Sequence, residues 1–134
     1  MRFNRLLLVA ASAAILTSAS SCVAVAVGAG VGYLVSQELT QNEKLVMRFE
    51  IDIDEVWATA QSLMTDISER PPEVTEFPRK LRSRYLGADV TVDVLANDHM
   101  KTDVVVEARE YGARTGRVAK AVLEQLAERL AKRQ

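Results

Sequence analysis

Residues 88 to 109, ADVTVDVLANDHMKTDVVVEAR, carry the clearest structural pattern in the chain. Apolar and polar side chains alternate on both sides of Asn97–His99, a run of residues that favours turns. The apolar set is Val90, Val92 and Val94 before the turn, then Val104, Val106 and Ala108 after it. Alternation with a period of two is typical of a strand with one buried face. The stretch therefore predicts two antiparallel strands joined by a short turn.

Further strands are predicted before this pair. Residues 45 to 53 alternate in the same way, and residues 80 to 86 form a more exposed strand that ends in a turn at Leu86–Gly87. Residues 73 to 77 read as a short edge piece. Pro78 confines this piece to a sheet edge or a turn, because proline has no backbone donor for a sheet ladder.

Two amphipathic helices flank these strands. The first is predicted from Asp52 or Asp54, which suit a helix N-cap, to about Ser68, and Pro71 and Pro72 follow it. The second is predicted from about Thr115 to the C-terminus, with one apolar face and a polar face of mixed charge. The apolar faces contain Val56, Trp57, Ala60, Leu63, Met64 and Ile67 in the first helix, and Val118, Ala119, Val122, Leu123, Leu126 and Leu130 in the second.

These elements predict an α+β fold. The expected architecture is a two-layer sandwich with an antiparallel-rich sheet of about four strands and both helices on one face. The expected order is β-α-β-β-β-α, preceded by an N-terminal apolar helical segment.

The N-terminal 37 residues are typical of a targeting segment. Arg2 and Arg5 precede 32 residues without a charge, and Cys22, the sole cysteine, lies among small residues within them. A short basic region, an apolar core and small residues before a cleavage site form the three parts of a secretory signal. The predicted organisation is a signal peptide at 1–21, a lipidated Cys22 with a small-residue tether at 22–42, and a globular domain at 43–134.

Other readings of this segment stay open. Residues 6 to 35 are long and apolar enough for an uncleaved transmembrane helix, in which Gly28 and Gly32 have a GxxxG spacing. Simple cleavage after a small residue such as Ala26 is a further alternative. The two arginines favour an inside N-terminus, so the domain is expected outside the cytoplasm in the two main readings.

The net charge and the cysteine count bear on nucleic-acid binding and on disulfide formation. Without Arg2 and Arg5, 15 basic residues face 18 acidic ones, so the remainder carries a net charge of −3. That balance gives no case for nucleic-acid binding. A single cysteine cannot form an internal disulfide.

No catalytic, metal or cofactor site is predicted. The sole histidine, His99, falls in a turn, and neither zinc-ligand spacing nor a glycine-rich phosphate loop is present. One strand carries Asp89, Thr91 and Asp93 on a face, and another carries Lys80, Arg82 and Arg84. Both stripes are interpreted as solvated strand faces.

The motifs together resemble a known family. Ala19–Cys22 resembles the lipobox of bacterial lipoproteins, with alanine where leucine is commonest at the first position. With the glycine-alanine tether, the D-x-V-W sequence ending at Trp57 and the pair Tyr111–Gly112, the chain looks like short bacterial lipoproteins whose domain has no assigned function. The resemblance implies that Cys22 is acylated and that the protein lies in the cell envelope, and it supplies no catalytic residues. By similarity to the enterobacterial sorting pattern, valine and alanine after Cys22 favour the outer membrane, facing the periplasm.

The predicted function is a non-enzymatic, lipid-anchored cell-envelope protein of unknown molecular function, whose domain is a protein-binding or structural module. Trp57 is interpreted first as a core anchor of the first helix, and it and Tyr111 are the candidate ligand or partner contacts. The alternative is an envelope carrier that holds a lipid or small apolar ligand between sheet and helices, or a single-span membrane protein with the same domain. The oligomeric state is left open.

Overall fold

The computed structural model describes residues 44–134 in full and the backbone of Tyr33–Ser36. The predicted signal peptide, Cys22 and the predicted apolar helical segment lie outside these residues, apart from Tyr33–Ser36. The predicted tether at 22–42 therefore overlaps the sheet, because Tyr33–Ser36 forms its first strand.

The described residues form seven strands and two helices. In chain order they are β1 (Tyr33–Ser36), β2 (Leu45–Phe49), α1 (Ile53–Ile67), β3 (Glu73–Thr75), β4 (Lys80–Tyr85), β5 (Ala88–Asp98), β6 (Lys101–Glu110), β7 (Ala113–Arg114) and α2 (Gly116–Arg133).

The sheet is antiparallel throughout its described pairs. The strand order is β1-β2-β6-β5-β4-β3, and the two-residue β7 pairs with β6 beside β2. The predicted α+β class is confirmed, but the prediction of about four strands is wrong. Strand β3 falls within the short edge piece predicted at residues 73–77, whereas the additional strands β1 and β7 have four and two residues, too few to show a clear period of two in the sequence.

Both helices lie on one face of the sheet. Helix α1 contacts β4, β5 and β6, helix α2 contacts β2 and β6, and the two helices contact each other. The predicted apolar positions of α1 and α2 are buried, with Ile67 partly so, and they pack against the buried face of the sheet. The sheet contributes Met47, Phe49, Leu81, Val90, Val92, Val94, Val104, Val106 and Ala108.

Local hydrogen bonds fix the start of α1. The Asp52 side chain caps the helix by accepting from the Asp54 backbone N–H at 2.8 Å. The buried hydroxyl of Thr102 donates to the Ile51 carbonyl at 2.8 Å, which ties β6 to the chain just before the helix.

The long strands define two ends of the domain. The base contains the loop Glu76–Arg79, the start of α1 and the β5–β6 loop His99–Met100. The tip contains the β4–β5 turn Leu86–Gly87 and the β6–β7 turn Tyr111–Gly112. Ten residues of β6 separate base from tip, roughly 34 Å at the rise of an antiparallel strand.

Candidate functional site

Two turns of the same construction form the tip. Tyr85 pairs with Ala88, which leaves Leu86–Gly87 as a two-residue loop, and both loop residues have positive φ, 51° and 75°. Positive φ at both central residues is the feature of type I′ turns, whose twist matches that of the flanking strands.

The β6–β7 turn repeats this geometry. Glu110 pairs with Ala113, and the loop residues Tyr111 and Gly112 have φ values of 50° and 79°. Glycine adopts such angles freely, whereas the left-handed conformation costs other L-residues about 1–2 kcal/mol. Asparagine and aspartate are the usual first residues of such a turn. Leucine and tyrosine therefore occupy positions where they destabilise the fold.

These two residues are also strongly exposed. The Tyr111 side chain is 99% exposed and that of Leu86 is 55% exposed. The β5–β6 ladder pairs Asp89 with Arg109, so the two turns project from adjacent strands at the same end of the sheet. The tip therefore presents an aromatic and an aliphatic side chain together, outside the core.

An ion-pair cluster holds the strands on both sides of the Tyr111 turn. The Glu107 carboxylate is 2.7 Å from Arg109 Nε in β6, 3.0 Å from Arg114 Nε in β7 and 3.5 Å from Lys44 Nζ before β2. Partial burial acts to raise the pKa of Glu107, but the hydrogen bonds and positive charges of Arg109 and Arg114 lower it from 4.5 to about 2. Glu107 is thus ionised at neutral pH and links β7 to the sheet.

Trp57 lies towards the base and is 6% exposed. Its indole N–H donates to Glu76 Oε2 at 3.1 Å, and the Gln61 amide contacts the other carboxylate oxygen at 3.4 Å. Arg79 Nη2, at the end of the same loop, lies 2.5 Å from Asp54 Oδ1. The Trp57 ring therefore packs in the core and, with these polar contacts, fixes the loop Glu76–Arg79 on α1.

The base exposes two other large apolar side chains. Phe77, in the loop that Glu76 and Arg79 fix, is 89% exposed, and Met100 in the β5–β6 loop is 61% exposed. At the same end, the start of α1 and residues 96–99 line an open depression of about 380 Å³. Its lining is mixed, with Ile53 and Ala96 beside Asp52, Asp98 and His99.

Buried apolar side chains from both layers meet between the sheet and the helices. Trp57 and the apolar residues of α2 that face the sheet belong to one continuous core. The leucines of α2 at positions 123, 126 and 130 are each at most 1% exposed. Within residues 44–134, Trp57 and α2 thus contribute their apolar side chains to the core, whereas the carrier hypothesis calls for open apolar space beneath them.

Opposite charges pair across the other face of the sheet. Lys80 lies 3.2 Å from Asp93, and Arg48 contacts both oxygens of Asp103 at 2.7 and 3.0 Å. The basic stripe of β4 therefore lies beside the acidic stripe of β5. Within residues 44–134, no group of three histidine, cysteine or acidic side chains is arranged to hold a metal ion.

The structure does not bring the two predicted contact residues together. Trp57 is buried towards the base, Tyr111 is exposed at the tip, and Cys22 lies outside the described residues. Sequence reasoning did not select Leu86, Phe77 or Met100. For Leu86 a signal was present, because a large residue followed by glycine occurs at both Leu86–Gly87 and Tyr111–Gly112.

Comparison of the chain with protein-family models, curated proteins and solved structures finds no match. The resemblance to short bacterial lipoproteins thus stays a prediction from the sequence motifs. In the part of the chain that the structure describes, neither helix combines the length and apolarity needed to span a membrane.

Proposed function

We propose that this protein is a non-enzymatic, lipid-anchored protein of the bacterial cell envelope whose domain binds a protein partner through its tip. One structural observation carries the binding part of the proposal. Leu86 and Tyr111 occupy adjacent turns in a left-handed conformation that disfavours both, and both side chains point away from the core.

Anchoring rests on the N-terminal sequence. Small residues precede Cys22, and a basic and apolar segment precedes them, as in the lipoproteins that this chain resembles. Two or more acyl chains hold a protein stably on a membrane, whereas one chain gives reversible attachment. The residues after Cys22, Val23 and Ala24, favour the outer membrane with the domain in the periplasm.

Partner binding rests on the chemistry of the tip. Tyrosine is enriched among the residues that dominate binding energy at protein interfaces, because it offers a large rigid apolar area and a hydroxyl. The local strain supports the same view, since a residue such as asparagine fits these turn positions better. Strained positions at a surface are a recognised feature of contact sites.

The burial of Trp57 and of the apolar face of α2 supports a protein-binding module over a carrier, which needs open apolar space there. The uncleaved single-span alternative concerns the N-terminal segment, and the predicted apolar helix would then cross the membrane with Cys22 inside it. The same domain would be displayed in either case, so the processing of Cys22 decides between them.

Mass spectrometry of the mature protein tests the anchor. The expected result is an N-terminal Cys22 carrying acyl chains in the wild type and loss of acyl mass in Cys22→Ser. Thr17→Ser, a small change in the same segment, serves as the control and should leave acylation unchanged. A full-length wild-type protein without acyl mass would instead support the uncleaved helix.

Photo-crosslinking in the cell tests the tip. A photoreactive amino acid is placed at position 86 or 111, and at Lys132 as a control, since Lys132 is exposed on α2. We expect the same discrete cross-linked protein from positions 86 and 111 and not from 132. That product should be lost from position 86 when Tyr111→Asn is added. Identical products from all three positions would contradict binding at the tip, and a product of twice the chain mass would identify a second copy as the partner.

A further inference from the structure

The direction of β1 shows at which end the N-terminal segment joins the domain. Tyr33 pairs with Arg48 and Ser36 pairs with Leu45, so β1 starts beside the last residues of β2. Phe49, which ends β2, pairs with Thr102 next to the β5–β6 loop. The chain therefore joins the sheet at the base, on the opposite side from the tip.

The chain between the proposed anchor and β1 is short. Ten residues separate Cys22 from Tyr33, and eleven peptide steps span at most about 40 Å. On the proposed function, in which Cys22 carries the lipid, the start of β1 is held within that distance of the bilayer surface. Because the chain enters the domain at the base, the base can reach the bilayer without the domain turning over.

Exposed apolar side chains lie at this same end. Phe77 and Met100 are the most exposed large apolar residues at the base, and Leu95 in β5 is 45% exposed nearby. The Phe77 loop is fixed, because Glu76 accepts from Trp57 and Arg79 pairs with Asp54. The base can therefore present Phe77 in a constant position without ordering a loop on contact.

We propose that the base docks on the bilayer that carries the acyl chains, with Phe77 and Met100 in the headgroup region and the tip directed away from the membrane. Aromatic and apolar side chains are favoured at that depth. The inference rests on the proposed lipid anchor and adds an orientation to it. A docked base would leave Leu86 and Tyr111 accessible to a partner in the aqueous phase.

Electrostatic attraction to anionic lipid has little part in this docking. Glu50, Asp52 and Asp98 lie near the base together with Lys101, and Arg79 is already paired. This surface lacks the basic cluster that draws proteins to anionic headgroups. Contact should consequently depend on apolar insertion and persist at raised salt concentration.

Site-specific fluorescence on vesicles tests the orientation. The acylated protein is purified and reconstituted in vesicles of phosphatidylethanolamine and phosphatidylglycerol. One new cysteine is introduced at position 77, 100, 86 or 111 and labelled with an environment-sensitive dye. On the proposed function the Cys22 thiol is blocked by its acyl chain, so the dye reacts at the introduced position alone. All four side chains are mostly exposed, so the substitutions remove little packing.

The expected result is a blue shift and at least twofold quenching by spin-labelled lipid at 77 and 100, with neither effect at 86 and 111. The quenching should survive a rise in salt concentration from about 0.1 to 0.5 M, over which screening becomes much stronger. Equal signals from all four positions, or quenching confined to 86 and 111, would overturn the orientation.

Vesicle flotation separates this failure from failure of the anchor. Protein that carries acyl mass and floats with the vesicles, but gives no quenching at 77 and 100, overturns the docking and leaves the anchor intact. Wild-type protein without acyl mass that stays at the bottom of the gradient overturns both proposals. Unfolding curves of the four labelled variants, compared with the unlabelled protein, verify that each variant is folded.

Discussion

At the base the indole of Trp57 is 6% exposed and hydrogen-bonded to Glu76, whereas at the tip the ring of Tyr111 is 99% exposed on a left-handed turn residue. The first ring packs in the core, so its burial stabilises the fold. The Tyr111 ring is not buried, and the left-handed backbone conformation of this residue destabilises the fold. This difference indicates that Trp57 has a structural role and that Tyr111 is available for recognition, although the sequence suggests both as contact residues.

Among the variants that test this comparison, truncation of Trp57 should change the free energy of unfolding most. Trp57→Ala should lower the free energy of unfolding by about 3–5 kcal/mol, because it removes a buried ring and leaves a cavity. Tyr111→Ala, with almost no buried area to lose, should change it by less than about 0.5 kcal/mol. Urea unfolding at pH 7 measures both.

Trp57→Phe is the matched control for the indole N–H. It keeps an aromatic ring but removes the hydrogen bond to Glu76, so a loss of about 1–2 kcal/mol is expected. A loss below about 1 kcal/mol for Trp57→Ala would contradict a structural role and return Trp57 to the candidate contacts.

The Glu107 cluster gives the next largest effect, near the tip. Glu107 has a lower pKa in the folded state, about 2, than its ordinary value of 4.5. Its charge therefore stabilises the fold above pH 4.5, and this contribution is lost as the pH falls through 4.5 to about 2. One pKa unit corresponds to about 1.4 kcal/mol, which gives an upper bound of about 3.5 kcal/mol. Solvent screens charges at this partly exposed site, so Glu107→Gln should lose about 2–3 kcal/mol at pH 7.

Unfolding experiments across pH separate this effect from simple loss of packing. The difference between wild type and Glu107→Gln should shrink from pH 5 towards pH 2, because protonated Glu107 resembles glutamine. Glu124→Gln, on the exposed face of α2, is the control and should change stability by less than about 0.5 kcal/mol. A constant difference at all pH values would show that charge at Glu107 is not the cause.

The sequence predicts the elements that bury a repeating face and misses those that depend on a neighbour. Strands β5 and β6 and both helices carry a clear period because one side of each meets the core. Strands β1 and β7 exist because the edge of a neighbouring strand is free to pair, which no local pattern encodes.

The same limit applies to the candidate site. The sequence predicts a turn at Leu86–Gly87 and a contact residue at Tyr111, but it does not select Leu86 as a contact. The adjacency of Tyr111 to Leu86 follows from the β5–β6 register, which joins residues far apart in the chain. The exposure of Phe77 follows from the contacts of Glu76 and Arg79 with α1, and these too are products of the tertiary fold.

Thr102 gives a smaller expected effect at the base. Its buried hydroxyl donates to the Ile51 carbonyl, so Thr102→Val should leave that carbonyl without its partner and cost about 1–2 kcal/mol. Thr65→Val is the matched control, because Thr65 makes a 2.8 Å bond to the Gln61 carbonyl but is exposed. Urea unfolding measures the loss of unfolding free energy in both variants. Equal losses would show that the Thr102 hydrogen bond stabilises the fold no more than an exposed hydroxyl contact does.

The smallest expected effect has the opposite sign and tests the tip most directly. Leu86→Asn and Tyr111→Asn should each raise the free energy of unfolding by about 1 kcal/mol, because asparagine adopts positive φ more readily. Met100→Asn is the control at the base, where the residue has no positive φ, and it should give no gain in stability.

Thermal unfolding measures the gain in stability, and the photo-crosslinking experiment on the same variants measures partner contact. Stabilising replacements occur at many sites in natural proteins, so the gain alone does not identify a binding residue. A gain in stability together with a loss of the cross-linked product would identify the leucine and the tyrosine as retained for binding. If either asparagine variant is less stable than the wild type, its turn residue contributes to the fold and the contrast between tip and base fails at that position.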